Sequence, residues 1–372
     1  MLDPVLLARW DARFRPLLVR LPAPLAVALY ARGRRLFHDR FVRARPRPYA
    51  PPAALARTVA GVRFRAPLYN AAGLFKDGRG YRLVASQGAG AFLAGTTTSR
   101  RRRGNRRAGV RLPFAPYPRS GAASNWLGLP NPGHAAVARR LARIQPVDGC
   151  PIGVSLSFDP DIADADARLE ALVVGLRSYD AAGVAFVEIN ESCPNTEDAD
   201  DASVDALIAR VASLGEAFLA HRSRALPVFV KLSCDTPPAL LPRLLDALIE
   251  AGFDGAVLGN TSTDYSRHRA SIEPSERALY DHFSARFGGG VSGRPLAADA
   301  LRLIETAAEH LARAGDGDGN RPFALVRVGG VATADDLRAS LDAGASLAQW
   351  YTGLFARFAD HGHGLYRHLF SA

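Results

Sequence analysis

Short apolar runs alternate with helix-length amphipathic segments along most of this chain. The runs occupy residues 67–72, 91–95, 152–156, 186–190, 228–232, 255–259, 324–328 and 347–351. They are nearly continuously apolar, as parallel strands covered on both faces are. Between them, leucines recur at helical spacing over 238–250, and Thr333 precedes a predicted helix over 334–342 as its N-cap. Gly252 and Gly344 stand where C-terminal caps are expected. This alternation predicts an α/β fold, a closed (β/α)8 TIM barrel, with a doubly wound open sheet as the alternative.

The first 50 residues follow a different pattern. Two series of apolar residues recur at helical spacing on either side of a Pro22-Ala23-Pro24 break. The first series is Leu6, Trp10, Phe14, Leu17 and Leu18, and the second is Leu25, Leu29 and Leu36, accompanied by Arg32, Arg34 and Arg35. This spacing predicts two amphipathic helices, and the arginine- and proline-rich residues 43–52 predict a linker. We therefore expect a small N-terminal helical extension with its linker at 1–50, followed by the barrel at 51–372.

Composition narrows the class of protein. Of 372 residues, 48% are hydrophobic, which is ample for a large core. The three cysteines, Cys150, Cys193 and Cys234, are odd in number and lack metal-site spacing, so we expect a reducing compartment and no metal. No apolar stretch reaches the roughly 18 residues that span a bilayer, and no signal peptide is recognisable. We expect a cytoplasmic protein, either soluble or peripheral to a membrane.

The chain is strongly basic, with a net charge of +11 that is almost entirely due to arginine. This charge favours anionic partners such as phosphate groups or an anionic lipid surface. Six arginines lie within residues 100–107, interrupted only by Gly104 and Asn105. No aromatic residues alternate with them to stack on bases, so the run favours a solvated loop over a nucleic-acid site.

The most informative stretch is Glu-Ile-Asn-Glu-Ser-Cys-Pro-Asn at residues 188–195. It places Asn190 at the end of a predicted strand and Cys193 on the following loop, where the chemistry of a βα-barrel takes place. A thiol with an unperturbed pKa of about 8.5 can be tuned to act as base or nucleophile. Asn190 and Asn195 can each donate and accept hydrogen bonds to a planar polar ligand. Taken alone, a half-buried cysteine in a turn explains this pattern equally well.

Further motifs follow other predicted strands. An Asn-Ala-Ala-Gly-Leu-Phe-Lys-Asp-Gly segment at 70–78 combines a flexible backbone with Lys76. Polar or glycine-rich motifs also lie at Asn125, Lys231, Asn260-Thr261, 288–296, Gly329-Gly330 and Tyr351-Thr352-Gly353. The last three can hold a phosphate with backbone N–H groups, and the last two follow the seventh and eighth strands, where barrels often bind one.

Together these ordered motifs resemble the dihydroorotate dehydrogenase family, whose members are FMN-binding (β/α)8 barrels. The resemblance covers residues 20–370 and implies oxidation of dihydroorotate to orotate in pyrimidine biosynthesis. It implies that Cys193 removes the C5 proton while the C6 hydride passes to flavin N5. FMN would be held by Ala72, Gly73, Lys76, Thr96, Asn190, Lys231, Gly293, Gly329, Gly330, Tyr351 and Thr352. The substrate would be held by Lys76, Asn125, Asn190, Asn195, Asn260 and Thr261.

The sequence features that bear on the electron acceptor conflict, because some resemble one class of the family and some the other. The 70–78 segment, Ser292-Gly-Arg-Pro-Leu296 and the N-terminal extension resemble the membrane-associated, quinone-using class 2. Cys193, in place of the serine usual in class 2, resembles the soluble class 1. Glu191 adds a charge where an aliphatic residue is usual.

We expect a quinone acceptor and peripheral contact with the cytoplasmic side of an anionic membrane, to which the arginines of the second helix would be attracted. In the alternative structural interpretation, the extension only caps the barrel. The functional alternatives are a class 1-like enzyme using fumarate or another acceptor, a tRNA dihydrouridine synthase, and a catalytically silent binding module.

Overall fold

The computed structural model describes residues 3–191, 204–314 and 322–371. The strands are β1 Arg57–Val59, β2 Val62–Phe64, β3 Leu68–Asn70, β4 Phe92–Thr97, β5 Arg106–Arg107, β6 Val110–Arg111, β7 Phe114–Tyr117, β8 Ala122–Asn125, β9 Ile152–Leu156, β10 Phe186–Asn190, β11 Val228–Ser233, β12 Gly255–Gly259, β13 Gly290–Gly293, β14 Ala324–Val328 and β15 Leu347–Trp350. The helices are α1 Pro4–Leu18, α2 Ala23–Phe41, α3 Tyr81–Gln87, α4 His134–Leu141, α5 Ala165–Ala181, α6 Val204–Ala217, α7 Leu241–Glu250, α8 Tyr265–His268, α9 Arg277–Phe287, α10 Ala297–Ala314, α11 Ala334–Asp342, α12 Thr352–His361 and α13 Leu365–Ser371.

Eight parallel strands form the barrel, in the order β3-β15-β14-β12-β11-β10-β9-β4. Each predicted apolar run corresponds to one of these strands, so the predicted (β/α)8 barrel is confirmed and the open sheet is excluded. Thr333 caps α11 through a capping box with Asp336, and Gly252 and Gly344 have positive φ just beyond their helices.

The barrel closes between β3 and β4 with the help of a side chain. Backbone N–H groups of Gly90 and Gly95 donate to the carbonyls of Leu68 and Phe75, at 2.9 and 3.1 Å. Between these two bonds, the Asn70 amide donates to the Leu93 carbonyl at 2.8 Å and accepts from the Leu93 N–H at 3.2 Å. An amide side chain therefore replaces part of the strand ladder at this seam.

Additional β-structure covers both ends of the barrel. The hairpin of β1 and β2 places Phe64, which is fully buried, against Tyr69 and Phe186 in the barrel interior. At the opposite end, β7, β8 and β13 form a three-stranded antiparallel sheet. The glycine-rich motif at 288–296 includes a strand, since Gly290–Gly293 pairs with β8 along its whole length. Glycine weakens strand propensity, and the pairing partner lies far away in sequence.

The N-terminal helices pack onto this framework with one face and leave the other uncovered. Val27 and Tyr30 of α2 are buried with residues of β7 and α9, and Phe41 lies in the main core. Of ten exposed large hydrophobic residues in the described part of the chain, seven belong to α1 and α2. They are Leu6, Trp10, Phe14, Leu17, Leu25, Leu29 and Leu36. The extension thus covers part of the barrel and also presents an apolar outer surface.

Candidate active site

A cavity opens at the carboxyl ends of the barrel strands and encloses about 980 Å³ out to its open mouth. It brings together all the sequence-predicted site residues that the structure describes. These are Ala72, Gly73, Lys76, Thr96, Asn125, Asn190, Lys231, Asn260, Thr261, Gly293, Gly329, Gly330, Tyr351 and Thr352. The predicted Cys193 and Asn195 lie outside the described residues.

One wall of the cavity is largely backbone. A β-carbon on Gly330 would lie 2.4 Å from Cα of Ala297, so a larger residue has no room there. Tyr351, the N-cap of α12, offers no side-chain cap to the first N–H groups of that helix. The hydroxyls of Ser292 and Thr352 lie 2.9 Å apart beside this helix end. Backbone N–H groups, two hydroxyls and a helix N-terminus provide the donors that a phosphate group needs, so this wall fits the phosphate end of a flavin nucleotide.

Amide side chains surround the centre of the cavity. Asn190 donates to the hydroxyl of Thr96 at 3.3 Å and accepts from the amide of Asn260 at 3.2 Å. Asn125 reaches the same cavity from the three-stranded sheet. The hydroxyl of Thr261 is buried and has no hydrogen-bond partner among the described residues. Since a buried polar group normally has a partner, this hydroxyl is suited to a polar ligand.

The floor of the cavity holds a buried charge cluster, of which the sequence predicted only Lys231 as a site residue. Lys231 Nζ lies 3.4 Å from Oε1 of Glu188 and 3.3 Å from Oε1 of Gln349. The amide of Gln349 donates to Oε2 of Glu188 at 2.7 Å and to the hydroxyl of Tyr69 at 3.1 Å. Burial, with the nearby Glu188 as a second cause, raises the pKa of Tyr69, which therefore stays protonated. The signal in the sequence is the charged Glu188 two positions before Asn190, on the same face of an apolar strand.

The N-terminal extension reaches the cavity wall through an arginine. Arg34 of α2 donates to the hydroxyl of Tyr351 at 2.5 Å, and its guanidinium lies 5.5 Å from the ring centroid of Phe114. Both aromatic residues line the cavity. Arg34, expected with Arg32 and Arg35 to face lipid, instead faces the cavity wall, because α2 packs on β7. Lys76 stands nearby, since a β-carbon on Gly73 would lie 3.6 Å from its Nζ.

The unusual Glu191 forms a buried ion pair at the end of β10. Its Oε2 lies 3.0 Å from Nη2 and 3.2 Å from Nε of Arg210 on α6. The side chain of Glu191 is 4% exposed. The pair links the residues on the two sides of segment 192–203, which contains Cys193.

The two described cysteines lie away from the cavity. Burial raises the pKa of Cys150 to about 11 and the pKa of Cys234 to about 12, so both thiols are protonated at neutral pH. Neither can serve as a base for a ligand in the cavity.

Fold and site together define a (β/α)8-barrel protein with a polar, glycine-walled cavity at the place where barrel enzymes bind their ligands. Two solved structures share the fold. A dihydroorotate dehydrogenase from Eimeria tenella in complex with ferulenol matches with a TM-score of 0.71 and 21% identity, over 94% of this chain and 89% of the other. The ligand-free type from the same organism matches with a TM-score of 0.73 and 22% identity, over 91% and 93%.

The sequence comparisons show the family as well as the fold. The family model for dihydroorotate dehydrogenase matches residues 54–361. A protein named "Dihydroorotate dehydrogenase (quinone)" from Mycobacterium sp. (strain KMS) is 35% identical over 301 residues, which are 80% of this chain and 75% of that protein. Its namesake from Salinispora arenicola is 34% identical over 351 residues, 91% and 86% of the two chains. The chain belongs to the dihydroorotate dehydrogenase family, a family of flavin enzymes, and the names of these relatives confirm the resemblance to class 2.

Within the described ranges, no group of side chains could hold a metal ion, and no helix is long and apolar enough to cross a bilayer.

Proposed function

We propose that this protein oxidises dihydroorotate to orotate in pyrimidine biosynthesis and passes the electrons by way of FMN to a quinone. Family membership supports the reaction, and the names of the relatives support the quinone. The observation that carries the proposal is that the described residues expected to hold flavin and substrate all line one cavity. Membership of this family also argues against a tRNA dihydrouridine synthase.

The cavity residues divide into two proposed groups. The glycine-rich wall with Thr352 would hold the phosphate of FMN, while Lys76, Thr96, Asn190 and Lys231 would contact its ring. When bound, FMN supplies the acceptor for the hydride from C6 of the substrate. The arrangement of Thr352, Ser292 and the start of α12 supports the phosphate assignment because charge and hydrogen bonding both favour an anion there.

The amides of Asn125, Asn190 and Asn260 would orient the substrate, together with Lys76, Thr261 and Asn195. An amide presents both a donor and an acceptor, which matches a ring with alternating carbonyl and N–H groups. The ammonium of Lys76 would neutralise the substrate carboxylate. By its resemblance to the family motif, Cys193 would accept the C5 proton as general base. The other two cysteines, Cys150 and Cys234, do not line the cavity.

The proposal predicts that the protein purifies with FMN bound tightly but not covalently. The purified protein should show a flavin absorption band, and denaturation should release a flavin that chromatography identifies as FMN. Anaerobic mixing with dihydroorotate should bleach the band in a stopped-flow experiment. Reoxidation should then be fast with a ubiquinone analogue and slow with fumarate. A folded but colourless protein that FMN cannot reconstitute contradicts the cofactor assignment, and the reverse acceptor preference contradicts the quinone.

We further propose that the extension attaches the protein peripherally to the cytoplasmic side of an anionic membrane and receives the quinone there. The exposed apolar side chains of α1 and α2 support this, since so many on one small segment typically mark an interaction surface. Next to them, Arg32 and Arg35 of α2 share a groove with Arg111, His282 and Arg286. No carboxylate is among the described residues that line this groove, so it suits anionic lipid headgroups.

A further inference from the structure

The charge cluster under the cavity leads to an inference that rests on the proposed binding of flavin. We propose that Glu188 acts as the counter-ion of Lys231 and thereby lowers the midpoint potential of the flavin bound above it. Glu188 itself does not line the cavity, whereas Lys231 and Gln349 do. Glu188 would therefore be a positioning residue, which acts on the flavin through its neighbour.

The alternation of side chains along β10 explains why the charge cluster lies just beneath the cavity. Along β10, Phe186, Glu188 and Asn190 point into the barrel because side chains alternate along a strand. Phe186 belongs to the apolar layer at the barrel bottom, and Asn190 lines the cavity. Glu188 thus lies between them along the strand, within hydrogen-bond distance of Lys231 from β11 and Gln349 from β15.

Burial makes this pair electrostatically important. Glu188 is 1% exposed and Lys231 2% exposed, so water screens neither charge effectively. A lone buried ammonium at the cavity floor would stabilise an anionic reduced flavin. With the Glu188 carboxylate 3.4 Å behind it, the pair has no net charge and the stabilisation is reduced. Gln349 holds both partners through one amide, which keeps the carboxylate directed at the lysine.

The test is the substitution Glu188→Gln, which removes the charge and keeps the shape. The midpoint potential of bound FMN should rise, because Lys231 then faces the flavin without its counter-ion. We expect reduced FMN to gain affinity relative to oxidised FMN by about tenfold or more, which equals about 30 mV for a two-electron couple. Potentiometric titration with a chemical reductant measures it without dihydroorotate, so the result does not depend on the proposed substrate.

Three variants complete the experiment. Lys231→Met should shift the potential downward because the cation is lost and the carboxylate remains. Glu188→Asp keeps the charge on a shorter side chain, so its midpoint potential should lie between those of the parent and Glu188→Gln. This variant replaces Glu188→Gln in the test if Glu188→Gln does not fold.

Glu276→Gln is the matched control. Glu276 is an equally buried carboxylate that accepts backbone N–H groups of Arg119 and Ser120 outside the cavity, so its loss should leave the potential unchanged. If the potential of Glu188→Gln equals that of the parent at every pH while Lys231→Met shifts it, Glu188 only packs the barrel and the proposal is wrong.

Discussion

Replacing Cys193 by alanine is expected to leave FMN bound and to slow flavin reduction by dihydroorotate by about 10²-fold or more, the usual contribution of a positioned general base. FMN content should not change, because the wall proposed to hold its phosphate is formed by other residues, among them Ser292, Gly330 and Thr352. Cys193→Ser should retain part of the activity and shift it to higher pH, because a hydroxyl is a far weaker acid than a thiol. Anaerobic stopped-flow absorbance measures both rates over a range of pH.

Cys234→Ala is the matched control for this prediction. Cys234 is 4% exposed and lies outside the cavity, so its loss removes a buried thiol without touching the proposed chemistry. Flavin reduction in this variant should equal that of the parent. An alanine variant at Cys193 that reduces flavin at the parental rate would remove this residue from the mechanism and leave the base to be found elsewhere.

Substituting Trp10, Phe14 and Leu17 together by glutamine is expected to weaken binding to anionic liposomes by about 10²-fold or more. Burying each such side chain contributes about 1.5–3 kcal/mol, so even partial insertion of three of them exceeds the roughly 2.7 kcal/mol that this factor requires. Reoxidation by a long-chain quinone in the liposomes should slow in parallel. Flavin reduction by dihydroorotate should be unchanged, because these side chains lie on the outer surface of α1.

In the matched control, glutamine replaces Val147, Val174 and Leu240. These exposed apolar residues lie on the barrel rather than on the extension. They should leave liposome binding as it is in the parent. Deleting residues 1–45 is a coarser test because it also removes buried residues such as Phe41 and uncovers the core. If the triple variant on α1 binds liposomes and turns over long-chain quinone like the parent, the extension is a cap and its apolar face has another role.

The sequence was a good guide wherever a local pattern decides the structure. Buried parallel strands appear as apolar runs, and Thr333 caps α11 through neighbours only three residues away. It was a poor guide where partners are distant. Gly290–Gly293 becomes a strand only because β8 pairs with it, and Glu188 is neutralised by a lysine on another strand. Periodicity also could not tell that Arg34 faces inward, because arginines lie on both faces of α2.

The barrel seam has a consequence for hydrogen exchange. At Leu93 the backbone N–H is held by the side chain of Asn70, whereas the N–H groups within the paired strands are held by a neighbouring backbone. A side chain can rotate away alone, so we expect the Leu93 amide to exchange with solvent by local opening well below the free energy of global unfolding. The chain continues from Asn70 directly into Ala71, Ala72 and Gly73 of the cavity wall. Occupation of the cavity should therefore slow exchange at Leu93, and a single amide on the barrel would report whether the cofactor is in place.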